Sequence, residues 1–155
     1  MQLAQTSFVF ACDALKGIAS VLLAYRLFPA GGDLGAIGAA VGCILGHNFT
    51  PWLRFKGGKG MATSLGVLIA LLPLVSVLAF GFWGLVFLVT RYVSLASILA
   101  AAALPVFTCL VRGVGALFWF TLLIGVLAIV RHRANIQRLL NGTESRFVRA
   151  KEDAP

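Results

Sequence analysis

The chain has 155 residues, of which 60% are hydrophobic and only 12% are charged, and its mean hydropathy is +0.97. A water-soluble domain carries about 25% charged residues, so this composition predicts a single integral membrane domain over residues 1–155. The net charge of +8 does not indicate nucleic acid, because the cations lie between long apolar spans. A membrane surface or an anionic substrate is the expected partner.

Six membrane helices are predicted, which makes the fold an all-α, polytopic helical bundle. In chain order they span about Leu3–Phe28, Leu34–Gly46, Met61–Leu72, Leu74–Val89, Val93–Val111 and Gly115–Val130. The second and third are shorter than the roughly 20 residues that a comfortable span requires. Short helices are tolerated where they line a polar cavity, so a site is expected between these two. An amphipathic helix over Arg131–Leu140 begins the polar tail, residues 131–155.

The basic residues predict the orientation of this bundle. If the helices alternate and the tail is cytoplasmic, ten of the 13 Lys and Arg residues lie on the cytoplasmic side, whereas Arg26 and Arg112 lie on the other and Lys16 lies within a helix. Such a bias is typical of the positive-inside rule. It predicts that both termini are cytoplasmic and that three polar segments, distant in sequence, meet at one membrane face.

The segment 46–60 interrupts the apolar sequence with cations and glycines. Glycine lets the backbone approach a ligand closely, and successive N–H groups in such a turn, followed by a helix N-terminus, bind anions. Lys56 and Lys59 flank the pair Gly57–Gly58, and Gly60 follows. The pattern indicates a phosphate-binding loop. The alternative is a basic loop that only sets topology and contacts lipid headgroups.

Other polar residues each allow two interpretations. Asp13 and Lys16 share a helical face and are expected to form an ion pair, with direct substrate contact as the alternative. His47 is a candidate base or a helix-end residue that bonds to backbone. Arg91 is a candidate ligand or an interfacial anchor. In the tail, His132 and Asn135 lie three residues apart on a polar stripe, which alone would be typical of an interfacial helix.

Several motifs together resemble one family. They are Asp13-Ala14-Leu15-Lys16-Gly17, Gly46-His47-Asn48-Phe49, Phe55-Lys56-Gly57-Gly58-Lys59-Gly60, Thr90-Arg91-Tyr92-Val93-Ser94, and His132-Arg133-Ala134-Asn135-Ile136 with Gly142-Thr143-Glu144. In this order they resemble the bacterial acyl-phosphate:glycerol-3-phosphate acyltransferases, the PlsY family. The glycine-lysine loop followed by the histidine-asparagine tail is highly specific in combination.

The resemblance implies an enzyme of phospholipid biosynthesis in the bacterial inner membrane. It would move an acyl group from acyl phosphate to the sn-1 hydroxyl of glycerol-3-phosphate, which gives lysophosphatidic acid, without acyl-CoA or acyl carrier protein. Residues 56–60 and His47, Arg91 and Glu144 would bind phosphate, Asn135 would orient a substrate, and His132 would act as a base or a phosphate donor. The implied partners are the two substrates, membrane lipid and an acyl-phosphate-forming enzyme. No cofactor and no metal is implied, because carboxylates are too few and scattered for Mg²⁺.

The family pattern also differs from this sequence at the start. Family members usually begin with a further transmembrane helix and a loop of Gly-Ser-Gly-Asn type, and residues 1–10 contain nothing similar. The family's seven helices would thus become six. Either the start codon is misplaced, or the missing part comes from elsewhere, or the chain is an inactive relative that lacks the serine loop. A rival hypothesis is a transporter subunit for an organic anion, because such a site also requires short, glycine-broken helices with inward cations.

Overall fold

The computed structural model of this chain describes residues 2–49 and 60–147, and these residues form an all-helical fold. Its α-helices, in chain order along the described residues, are α1 (Gln2–Leu27), α2 (Gly32–Asn48), α3 (Met61–Leu71), α4 (Pro73–Thr90), α5 (Val93–Arg112), α6 (Ala116–Arg131) and α7 (Arg133–Leu140), with one 3-10 turn, Pro29–Gly31, between α1 and α2. Helices α1–α6 lie where six membrane helices were predicted, and the predicted tail helix is α7. Fewer than six of the described helices are long and apolar enough to span a membrane.

Four segments of the described residues are long and apolar enough to cross a membrane. They are Phe8–Leu27, Pro29–Asn48, Pro73–Thr90 and Val93–Arg112. Helices α6 and α7 together make a fifth candidate, a broken span bent by 57°. Helix α3 has only 11 residues and is shorter than a bilayer crossing requires. The chain is thus a multi-pass membrane protein with one short internal helix.

The prediction that the second helix is too short to span was wrong. Together with the preceding 3-10 turn, α2 makes a 20-residue candidate span, because it begins earlier and ends later than the apolar run. Asp33 lies in its first turn, where a carboxylate is favoured by the positive end of the helix dipole. At the other end the helix continues through the polar residues His47 and Asn48, because that end packs inside the protein.

Helices α1 and α3 approach each other so closely that glycine is required on both. A Cβ atom on Gly66 would overlap the Ala14 carbonyl, and one on Gly17 would overlap the Thr63 carbonyl. Close backbone contact of this kind is a common way to pack helices in membranes, where no hydrophobic effect drives association. It fixes the start of α3, and therefore the end of the loop that precedes it, against α1.

A glycine also allows close backbone contact between two helices in the other half of the bundle. Helices α4, α5 and α6 pack side by side, and a Cβ atom on Gly125 of α6 would lie 2.6 Å from the Ala101 carbonyl of α5. The buried apolar cluster joins both halves, since Val21, Val67 and Val75 are fully buried within it. The two halves therefore share one core.

Polar contacts hold the end of the bundle where α2 begins and α5 ends. The Tyr25 hydroxyl donates to the Asp33 carboxylate at 2.7 Å, and the Arg112 guanidinium lies 3.7 Å from the other carboxylate oxygen. Three helices are thereby joined at this end. The candidate site lies at the opposite end, where α2 finishes and α5 begins.

The close approach of α1 and α3 predicts a position-specific loss of stability. Gly66→Ala should lower the free energy of unfolding by about 1–3 kcal/mol or more, because the added methyl group must displace backbone. The matched control is Gly81→Ala in α4, where a Cβ atom would meet nothing within 4 Å. We expect thermal unfolding in detergent to show a lower midpoint for the first variant and an unchanged or slightly raised one for the second. Equal midpoints would contradict this packing.

Candidate active site

The bend between α6 and α7 places His132 inside the protein. This residue ends α6 and precedes α7, and its side chain is buried. The ring Nδ1 lies 2.8 Å from the Ala128 carbonyl oxygen. A carbonyl can only accept, so Nδ1 must carry the proton, and in the neutral ring Nε2 then holds the lone pair. The imidazole is therefore held in the tautomer that can accept a proton at Nε2.

Glu144 is the centre of a polar cluster formed by α7 and the turn after it. The Asn135 amide donates to one carboxylate oxygen at 2.6 Å, and the Arg138 Nε–H donates to the other at 2.7 Å. The Glu144 side chain is only 8% exposed. A buried carboxylate with a cationic partner and several donors stays ionised, which makes it an acceptor that fixes the direction of both neighbouring side chains.

The Ser94 hydroxyl is the largest cause of a lowered pKa at Glu144. That hydroxyl, with the hydrogen bonds of Asn135 and Arg138, holds the pKa of the carboxyl at about 2, against an ordinary value of 4.5, although burial acts in the opposite direction. Ser94 is itself buried, and its oxygen makes no well-aligned hydrogen bond within the part of the chain that the structure describes. It lies close to the carboxylate, and Ser94 is one of the residues that line the adjoining cavity.

The local sequence explains why the chain turns at this point. Gly142 adopts a left-handed conformation, with φ of 68°, directly after α7. The Gly142 N–H donates to the Leu139 carbonyl and the Thr143 N–H donates to the Arg138 carbonyl. This is the Schellman pattern that ends helices at glycine. It reverses the chain so that Glu144 lies back over α7.

The segment after Glu144 closes one side of the site against the α4–α5 junction. The Phe147 N–H donates to the Arg91 carbonyl at 2.8 Å, and the Phe147 ring meets Phe87 edge to face. The Arg146 guanidinium lies over the Tyr92 ring. Arg91 thus contributes its backbone to this contact, whereas its side chain is exposed; its predicted phosphate contact stays a prediction.

The two described ends of the glycine-lysine loop also meet at this end of the bundle. Gly60 is left-handed, with φ of 73°, and a Cβ atom there would lie 2.5 Å from Asn48 Oδ1. The Arg131 guanidinium donates to the Asn48 carbonyl at 2.9 Å and lies over the Phe49 ring. The Arg131 side chain therefore links the start of the loop to the bend between α6 and α7, and the contact of Gly60 with Asn48 brings the end of the loop to the same place. The predicted residues Lys56, Gly57, Gly58 and Lys59 lie outside the described residues.

His47 belongs to a charged cluster at the facing surfaces of α1 and α2. Lys16 Nζ lies 2.6 Å from Asp13 Oδ1 and 2.9 Å from His47 Nδ1, so the expected ion pair is present. The ammonium can only donate, and His47 Nδ1 therefore accepts. His47 thus lies beside the Lys16 ammonium, and its phosphate-binding role stays a prediction.

A cavity of about 890 Å³ connects the polar cluster to the interior of the bundle. Its polar end is lined by Ser94, His132, Asn135 and Glu144, and its remaining walls are mostly apolar side chains of α3, α4, α5 and α6. Within residues 2–49 and 60–147, no group of three or more His, Cys, Asp or Glu side chains could hold a metal ion. The arrangement suits an amphiphile that has an anionic head and an apolar tail.

Two residues at this site were not predicted as site residues. Asn48 was noted only within a motif, yet it is buried and contacts both Gly60 and Arg131. Ser94 was likewise noted only within a motif, yet its hydroxyl lies close to the Glu144 carboxylate. A polar residue that follows a helix or opens one is usually a cap, and neither residue makes such a contact, so the sequence alone offered no signal that separates the two cases.

The chain matches known proteins over most of its length. A family model described as glycerol-3-phosphate acyltransferase matches residues 3–142. A glycerol-3-phosphate acyltransferase of Syntrophotalea carbinolica is 47% identical over 136 residues, which cover 87% of this chain and 68% of that protein. One of Geobacter sulfurreducens is 47% identical over 135 residues, which cover 87% of this chain and 69% of that protein.

Solved structures agree with this match. Two crystal structures of PlsY (YgiH), an integral membrane glycerol 3-phosphate acyltransferase, superpose with a TM-score of 0.84 at 39% identity and cover 92% of this chain. One is its lysophosphatidic acid form, of which 72% is covered, and the other is its glycerol 3-phosphate form, of which 70% is covered. The similarity in sequence and in fold leads to one conclusion: the chain belongs to the glycerol-3-phosphate acyltransferase family.

Proposed function

We propose that this protein transfers a fatty acyl group to the sn-1 hydroxyl of glycerol-3-phosphate, which gives lysophosphatidic acid for phospholipid synthesis. One observation carries the proposal: a single cavity has His132, Asn135 and Glu144 at its polar end and apolar walls along the rest. Lysophosphatidic acid has one phosphorylated glycerol head and one acyl tail. The polar end of this cavity suits the head, and its apolar part suits the tail.

Acyl phosphate is the proposed donor. It is a mixed anhydride, so inorganic phosphate is a good leaving group and no acyl-enzyme is needed. The glycerol hydroxyl oxygen forms the ester bond to the acyl carbon as the bond from that carbon to the phosphate oxygen breaks. His132 accepts the hydroxyl proton at Nε2, while its Nδ1–H stays on the Ala128 carbonyl. General base catalysis of this kind contributes about 10²–10⁴-fold to the rate.

Two phosphoryl groups must lie side by side for this reaction, and the site supports that arrangement with donors and cations. Residues 56–60 are proposed to bind phosphate, with support from the left-handed Gly60 packed against Asn48 and from the hydrogen bond of Arg131 to the Asn48 carbonyl. Asn135 orients a substrate, and its amide direction is set by Glu144. Glu144 is accordingly proposed as a positioning residue rather than a phosphate ligand, because its carboxylate would repel the anion.

The predicted location is a bacterial inner membrane with both termini cytoplasmic. The contacts of Arg131 with Asn48 and of Phe147 with the Arg91 carbonyl support the expectation that the three basic segments share one end of the bundle. The positive-inside rule assigns that end to the cytoplasm. An acyl-phosphate-forming enzyme is the proposed partner on that side. The transporter and inactive-relative hypotheses are not favoured by the family to which the chain belongs.

His132→Ala should abolish most of the activity. With acyl phosphate and glycerol-3-phosphate, we expect release of inorganic phosphate to fall by about 10²–10⁴-fold, because the proton acceptor is lost. The matched control is Arg112→Gln at the opposite end of the bundle, which should retain activity. Wild-type activity in the histidine variant would contradict the assignment. Anion flux across liposomes without product would instead support the transporter.

Glu144→Gln should lower kcat/KM by about tenfold or more, because a hydrogen bond to a charged group is worth about 1.5–3 kcal/mol. Since the pKa of Glu144 is about 2, its carboxylate stays ionised in mildly acidic solution. The contribution of this carboxylate to stability should be present above its ordinary value of 4.5 and lost as the pH falls through about 2.

Two measurements check that Glu144 stays ionised in mildly acidic solution. The ratio of wild-type to Glu144→Gln activity should stay constant between about pH 5 and pH 8, since a group with a pKa near its ordinary value would begin to titrate at the lower limit. The difference in thermal midpoint between the two proteins should shrink only in stronger acid. A ratio that falls steadily from pH 8 to pH 5 would mean that Glu144 titrates there.

A further inference from the structure

The cavity extends deep along one face of α5. Ser94, Ser97, Ala101 and Leu104 line it at spacings of three and four residues, which places them on one stripe of the helix. Ser94 lies at the polar end beside Glu144, and Leu104 lies ten residues further along. At the α-helical rise, ten residues span about 15 Å. The apolar part of the cavity therefore runs along α5 for a distance that a fatty acyl chain could occupy in extended form.

Along α4 and α5, the lining residues farthest from the polar end lie on facing helices. Helices α4 and α5 are antiparallel neighbours, and the Trp83 Nε1–H donates to the Ser97 hydroxyl at 3.1 Å, which fixes their register. Seven residues deeper on each helix lie Ser76 and Leu104, so these two line the cavity at the same depth. Both are buried, as are Leu68 of α3 and Ile124 of α6, which line the cavity too.

These four residues define the floor of the cavity: Leu68, Ser76, Leu104 and Ile124. Their side chains present no polar group without a hydrogen-bond partner. The Ser76 hydroxyl donates a hydrogen bond to the carbonyl of Leu72, four residues earlier in the chain, at 3.0 Å. This hydroxyl therefore already has a partner. A methyl terminus can therefore end there without burying an unpaired hydroxyl, whose cost would be substantial. The floor is apolar in effect, and on α5 it lies about 15 Å along the helix from Ser94.

We propose that this floor measures the length of the acyl chain and that Leu104 is a specificity-determining residue. The proposal rests on the proposed function, since it assigns the acyl tail to the cavity and the acyl phosphate to its polar end. A chain that just reaches the floor buries all its methylenes. A shorter chain leaves a void, and a longer one must bend. Each methylene gained or lost changes kcat/KM by about fourfold, the equivalent of about 0.8 kcal/mol.

The test is the chain-length profile of three variants, measured with saturated acyl phosphates from octanoyl to stearoyl at fixed glycerol-3-phosphate. Leu104→Ala deepens the cavity and should move the preferred length upward. Ala100→Leu obstructs the cavity about one helical turn above Leu104 and should move the preferred length downward. Leu117→Ala is the matched control, because Leu117 is as buried as Leu104 and does not line the cavity; its profile should equal that of the wild type.

The readout is the ratio of kcat/KM for long and short donors within each variant, so partial unfolding of one variant cancels. Opposite shifts in Leu104→Ala and Ala100→Leu, of about fourfold per methylene, would support the proposal. Unchanged profiles in both, with activity retained, would overturn it and would mean that the tail leaves sideways past the exposed Phe80 into lipid. Wild-type protein inactive on every donor would instead overturn the proposed function.

Discussion

The buried carboxylate of Glu144 is the interaction on which the polar end of this protein depends. It accepts from Asn135 and Arg138, and so it fixes α7 against the turn that follows. A single buried charge is costly unless donors surround it, and here these donors make it an organising centre. Because the carboxylate is held in this way, the chain after it reaches the α4–α5 junction, where Phe147 meets Arg91. The hydrogen bonds to this carboxylate therefore help to hold the segment that forms one wall of the cavity.

The rest of the cavity follows from close helix packing. Gly17 and Gly66 bring α1 against α3, and Gly125 brings α6 against α5. In an apolar solvent such as lipid, packing of this kind and interhelical hydrogen bonds are what hold helices together. Helices around the cavity are thereby fixed at their backbones, and the cavity lies between them where small side chains such as Ala100 and Ala101 line α5. A space lined by small and apolar side chains can then persist between rigid walls.

The polar segments converge because a membrane protein has few places for them. Arg131 contacts the Asn48 carbonyl, Lys16 bonds to Asp13 and His47, and His132 bonds to the Ala128 carbonyl. Arg131 and His132 lie at the end of α6, whereas Lys16 lies within α1. Each of these groups has a partner within the protein, as burial near lipid requires. The outcome is one end of the bundle rich in donors and cations, which is the chemistry that two phosphate groups need.

The sequence alone determined the helices, their order and the family, because hydropathy, glycine spacing and short motifs are local properties of the chain. It also placed Asp13 beside Lys16, since residues three apart share a helical face. It did not determine the length of α2, whose polar end continues as helix because it packs inside the protein. Nor did it identify Asn48 and Ser94, or indicate that the Arg91 carbonyl accepts from the Phe147 N–H. Those outcomes depend on which distant helices pack together, and only the tertiary structure decided them, because burial and register between helices are set by contacts that no local pattern encodes.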